Sequence, residues 1–92
     1  MIDKAASRRI RVQIRHVLLN IWDPIGIKDE PNAQDEYDGY TGPIFTLLSG
    51  DATDEQLGDQ LLHFVNDRMG LDATREAMLP TIRALQAIEF PK

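Results

Sequence analysis

Residues 9–22 read Arg9-Ile10-Arg11-Val12-Gln13-Ile14-Arg15-His16-Val17-Leu18-Leu19-Asn20-Ile21-Trp22, and two periodicities compete over them. From Arg9 to Arg15 polar and apolar residues alternate, as in a half-buried strand. Ile10, Ile14, Val17 and Ile21 recur at spacings of four, three and four, as on one helix face, and Leu18 widens that stripe. Alternation fails at Val17-Leu18-Leu19, whereas the helical period continues through Ile21. The longer pattern predicts a helix from about Lys4 to Trp22. Asp3 is its expected N-cap, and Pro24 ends it, because the residue ahead of a proline is pushed out of the α region. The arginines near its start oppose the helix dipole.

Beyond this helix, Pro24, Gly26 and Pro31 break the chain, so Asp23 to Gln34 is expected as a loop, long for a connection in so small a domain. A second helix is predicted from about Asp35 to Ser49, with Tyr37, Tyr40, Ile44 and Leu47 on its apolar face and Leu48 beside them. Pro43 either kinks it or opens its regular part. Thr53-Asp54-Glu55-Gln56 matches a capping box. It opens a third helix with Leu57, Leu61, Phe64 and Val65 on one face, Met69 at the end and Gly70 as the C′ residue. Asp72 is the expected cap of a fourth helix bearing Met78, Leu79, Ile82, Leu85 and Ile88, in which Pro80 marks a bend or the true start. Four amphipathic segments without a strand pattern predict an all-α fold. The expected form is one compact, bundle-like four-helix domain over residues 1–92, with a single long loop between helices 1 and 2.

The 92 residues carry ten Lys and Arg against fifteen Asp and Glu, a net charge of −5. That balance argues against general affinity for nucleic acid or an anionic membrane surface. The absence of cysteine excludes disulfides, thiolate zinc sites and a Cys nucleophile. Apolar runs reach only the length of Val17-Leu18-Leu19, far below the roughly 20 residues of a membrane helix. No signal-peptide core follows Met1-Ile2-Asp3-Lys4, so a cytoplasmic protein is expected. The charge is unevenly spread. Residues 1–22 hold five basic side chains and one acid, residues 23–59 hold ten acids and Lys28, and residues 60–92 balance. Either the first helix neutralises the acidic segment, or an acidic face is left to dock a basic partner.

No phosphate-binding glycine loop, nucleophile elbow or HExxH motif is present. His16 and His63 stand apart and read as boundary histidines. Asp23, Asp29, Glu30, Asp35, Glu36 and Asp38 crowd sixteen residues around the loop, which oxygen-loving cations favour. The calcium-loop pattern fails, since Pro31 and Tyr40 occupy ligand positions counted from Asp29. Solvated or capping carboxylates are the preferred explanation of the cluster, ahead of partner binding and of a metal site, and no metal or cofactor is called for. Trp22, Tyr37 and Tyr40 bracket the loop. They form either a core layer beneath it or, with Asp23, Asp35, Glu36 and Asp38, a binding face of aromatic anchors among acids.

Trp22-Asp23-Pro24-Ile25-Gly26 followed by Asp35-Glu36-Tyr37-Asp38-Gly39-Tyr40 resembles the signature of a family of small bacterial helical proteins that read WDPIG, a short acidic loop and DEYDxY. Met69-Gly70-Leu71 suits the same pattern, and the likeness covers roughly residues 15–71. The resemblance implies a compact helical domain of this length and brings no activity with it. Physically, the motif reads as a loop-fixing device. Asp23 would cap N–H groups at Ile25 and Gly26, Gly26 would take a positive φ, and Ile25 would tuck inward. Asp38 would face Arg11 or Arg15.

Two functions follow as expectations. The first is a non-enzymatic protein-interaction module, with an immunity-type or antitoxin-like protein that masks a basic partner as one version. The second is a small metal-dependent enzyme in which Asp23, Asp35 and Asp38 converge with His16 or His63. Self-association is compatible with both.

Overall fold

The computed structural model describes residues 3–23, 26–27, 29–31, 35 and 37–90. Among these, four helices and no strand are found, and no helix is long and apolar enough to cross a membrane. Helix α1 runs over Lys4–Val17 and continues into a π-turn, Leu18–Trp22. Helix α2 spans Asp38–Ser49. Helix α3 covers Asp54–Leu62 and likewise continues into a π-turn, His63–Arg68. A 3-10 turn, Glu76–Met78, leads into α4, Leu79–Gln86.

Local chemistry sets most of the boundaries. The Asp3 carboxylate accepts the Ala6 N–H at 2.7 Å, the N-cap bond that a free first turn needs. Thr53 and Gln56 form the reciprocal capping box, with bonds of 3.1 and 2.9 Å. Gly70 takes φ +68° just past the α3 π-turn, as a C′ glycine does. The fourth helix departs from expectation: Asp72 is not its cap, and α4 starts after Met78 without a side-chain cap bond. Thr74 Oγ1 accepts the Ala77 N–H at 3.3 Å in the 3-10 turn ahead of it, and Pro80 lies in the first turn of α4, where its missing N–H breaks no helical bond.

The core joins Ile10, Ile14 and Val17 of α1 and Leu18 of its π-turn to Ile44 and Leu48 of α2, Leu57 and Leu61 of α3, Phe64 and Val65 of the π-turn after it, and Ile82 and Leu85 of α4. Two expected faces are corrected. Ile21 is 46% exposed while Trp22 is buried, because the π-turn closes on a wider step, Asp23 N–H to Leu18 C=O. The extra residue rotates Ile21 off the stripe and brings Trp22 onto it. Asn20 Nδ2 donates to the His16 carbonyl at 2.9 Å, a side-chain donor at the turn where the backbone ladder changes step. Helix α2 begins at Asp38 rather than Asp35 and carries Thr41, Ile44 and Leu48 inward, leaving Tyr40 and Leu47 half-buried. Pro43 lies within α2, so the helix forgoes one N–H there and continues. Gln86 closes the domain by donating to the Ala52 carbonyl at 2.9 Å, across the turn between α2 and α3.

Candidate functional site

Both π-turns end on the same aromatic layer. Trp22 lies 5.2 Å from Tyr37, 5.8 Å from Tyr40 and 6.1 Å from Phe64, centroid to centroid, and Tyr40 packs on Phe64 at 4.3 Å. These are tilted and edge-on arrangements, which ring quadrupoles favour. Trp22 and Tyr37 are buried and Tyr40 is half-buried, so the rings form the layer beneath the loop and present little of themselves to a partner. The indole Nε1 of Trp22 has no hydrogen-bond partner among the described residues.

Asp23 pins the loop to this layer. Its backbone sits at φ +26°, a left-handed conformation that Asp tolerates better than most side chains. One carboxylate oxygen, Oδ1, accepts the Ile27 N–H at 2.7 Å and the Tyr37 hydroxyl at 2.9 Å. The expected cap at Gly26 is therefore corrected, and its other half, at Ile25, lies outside the described residues. The side chain serves Ile27, and Gly26 N–H turns to the Asp23 backbone carbonyl at 3.3 Å. Gly26 does take a positive φ, +69°. The inward packing expected of Ile25 lies outside the described residues, as does Glu36.

Asp38 faces Arg15, with Nε 3.1 Å from Oδ1 and both side chains nearly half exposed. Such a pair contributes little to stability. Asp35 is exposed, and its backbone carbonyl accepts the Asp38 N–H at 3.1 Å, leading the chain into α2. The carboxylates of Asp23 and Asp38 thus engage different groups. His63 pairs with Asp67 at 2.8 Å, and His16 lies beside Asn20 at 3.2 Å. Among the described residues, no three His, Asp or Glu side chains gather in a way that holds a metal ion.

Charge stays segregated in the fold. Among the described residues, Arg15–Asp38 is the sole ion pair between the first helix and the acidic segment. Asp29, Asp35, Asp51, Asp54 and Glu55 lie on the surface. On α3, Asp59 is met by Arg75, which also donates to the Glu55 carbonyl at 3.1 Å. The hydrogen bond to Asp59, aided by the charges of Asp59 and Glu55, raises the Arg75 pKa above its ordinary value.

Among the grooves along α1, two lie between it and another helix. One, of about 410 Å³, is apolar and lies against α4, with Val12, His16, Val17, Ala84 and Ile88 in its walls. The other, of about 270 Å³, lies against α2 and is lined by Arg8, Arg11, Val12, Arg15, Asp38 and Thr41. The second was missed in the sequence, although Arg8, Arg11 and Arg15 recur at spacings of three and four on one helix face. Comparison of the chain with protein-family models, curated proteins and solved structures finds no match.

Proposed function

We propose that this chain is a non-enzymatic protein-interaction module whose acidic side docks a basic protein partner. An immunity-type or antitoxin-like protein is its most concrete form. The observation that carries this reading is the segregation of charge. Among the described residues, the first helix pairs with one carboxylate of the acidic segment, at Asp38, and Asp29, Asp35, Asp51, Asp54 and Glu55 are exposed. Exposed carboxylates in excess steer an oppositely charged partner and make binding depend on salt. In this reading, Trp22, Tyr37 and Asp23 hold the loop in shape, while Asp35 contributes charge at its rim and Asp38 is paired with Arg15.

The test is affinity capture from the source cell's lysate at low and then high salt, followed by titration with each purified protein that elutes. A basic protein whose affinity falls at least tenfold when Asp29, Asp35, Asp51, Asp54 and Glu55 are replaced by Asn or Gln supports the module. A partner that binds the neutralised variant equally well, or the recovery of no basic protein, overturns it.

A further inference from the structure

The groove between α1 and α2 carries chemistry of the opposite sign, independent of the acidic side. Arg8, Arg11 and Arg15 line it from α1, and Asp38 and Thr41 line it from the first turn of α2. Three guanidiniums face one carboxylate, so the groove is net positive. Arg15 is engaged with Asp38. Arg8 and Arg11 have no carboxylate partner among the described residues.

Arg11 is also held in place. Its guanidinium carbon lies 4.6 Å from the centre of the Phe45 ring, a cation–π contact. A guanidinium held over a ring loses less entropy when a ligand binds its N–H donors. Thr41 is 8% exposed, and its hydroxyl has no hydrogen-bond partner among the described residues. A buried threonine on a helix ordinarily bonds a carbonyl of the preceding turn. A buried hydroxyl left without a partner is a standing cost to the fold, and Thr41 also lines the cationic groove.

We infer that this groove binds a phosphoryl group, with Arg8 and Arg11 as its principal donors and Arg15 and Thr41 completing the walls. The donors are spread along two turns of one helix and come from a second helix as well. A tetrahedral oxyanion with oxygens in several directions suits that layout better than a planar carboxylate does. The cavity, at about 270 Å³, accommodates an anion of that size with waters around it. The chemistry is common to free phosphate and to a phosphate monoester on a small molecule.

Amide chemical shifts of isotope-labelled protein, titrated with inorganic phosphate, phenyl phosphate or acetate at ionic strength matched with sodium chloride, test this site. Phosphate is expected to shift amides of α1 and the first turn of α2 in a saturable way, with acetate at least tenfold weaker. Tighter binding of phenyl phosphate than of phosphate identifies an ester as the preferred form, and the reverse identifies the free anion. Arg8→Gln and Arg11→Gln are each expected to weaken phosphate at least tenfold, while Arg83→Gln on α4 leaves it unchanged. Both arginines are exposed, and thermal melts of the variants verify that they fold. Shifts no larger than those of sodium chloride, acetate binding as tight as phosphate, or undiminished binding in Arg8→Gln and Arg11→Gln overturns the inference. None of these outcomes bears on the acidic face.

Discussion

Removing the Asp23 carboxylate or the Tyr37 hydroxyl should destabilise the domain through a single shared bond, and a double-mutant cycle isolates it. Tyr37 is 1% exposed and donates to Asp23 Oδ1 at 2.9 Å, while the same oxygen accepts the Ile27 N–H at 2.7 Å. A hydrogen bond to a charged group contributes about 1.5–3 kcal/mol. Asp23 is half-buried, so the low end applies and Tyr37→Phe is expected to cost about 1.5 kcal/mol. Asp23→Ala strips both donors of this acceptor and places alanine at φ +26°, for a total loss of about 3 kcal/mol. In the double variant no hydroxyl remains to be stripped, so the losses fall short of the sum by about 1.5 kcal/mol. Asp23→Asn keeps the oxygen and the tolerance for this backbone, and should cost about 1 kcal/mol. Urea unfolding followed by the fluorescence of Trp22, the one tryptophan, reads the parent and all four variants. Each kcal/mol also lowers Tm by roughly 4–8 °C in a domain of this size. Losses that add to within about 0.5 kcal/mol would show that the two side chains act separately, and the pinned-loop account would fail.

Other substitutions sort the layer beneath the loop from the surface around it. Trp22→Ala should cost about 3–5 kcal/mol in urea unfolding, and a loss below about 1 kcal/mol would remove Trp22 from the core. Trp22→Phe should cost under about 2 kcal/mol by thermal melting, because it discards a buried N–H that has no partner among the described residues along with the lost volume. Thr53→Ala breaks the capping box of α3 and should lower stability by about 1 kcal/mol, read from the urea midpoint. Arg15→Ala should cost less than about 1 kcal/mol, since its pair with Asp38 is nearly half exposed, and that small loss should shrink further in salt.

Features written in neighbouring residues were legible from the chain alone. The Asp3 cap, the Thr53–Gln56 box, the C′ role of Gly70 and the apolar face of α3 each depend on a few consecutive side chains, and each stands where the pattern put it. The ion pair of Asp38 with Arg15 was likewise among the expected contacts. What the sequence hid depends on a change of helical step or on packing between distant segments. Periodicity assumes one constant rotation per residue, so the π-turn that exchanges Ile21 for Trp22 leaves no trace in it. Tyr37 fits the period of α2 yet stands just ahead of that helix, with its hydroxyl committed to Asp23. Asp72 has the chemistry of a cap, yet the helix expected to follow it starts six residues later, after a 3-10 turn that the sequence pattern does not announce. The arginine stripe of α1 was visible, whereas the approach of Thr41 and Phe45 that turns it into a groove was not.

The widened turn at Leu18–Trp22 has a meaning for how this chain tolerates changes in length. An α-helix with one surplus residue must either twist everything downstream or bulge locally, and the bulge is what stands here. Ile10 and Ile14 before it and Trp22 after it all face the core, while Asn20 and Ile21, within it, face solvent. The segment therefore behaves as a helix that has absorbed an insertion without passing the error on. Deleting Asn20 would restore an unbroken α-helix and return the indole to the same side, at the position Ile21 now vacates. The register of the aromatic layer is thus buffered against a one-residue gain or loss at the point where most helices of this length would be least forgiving.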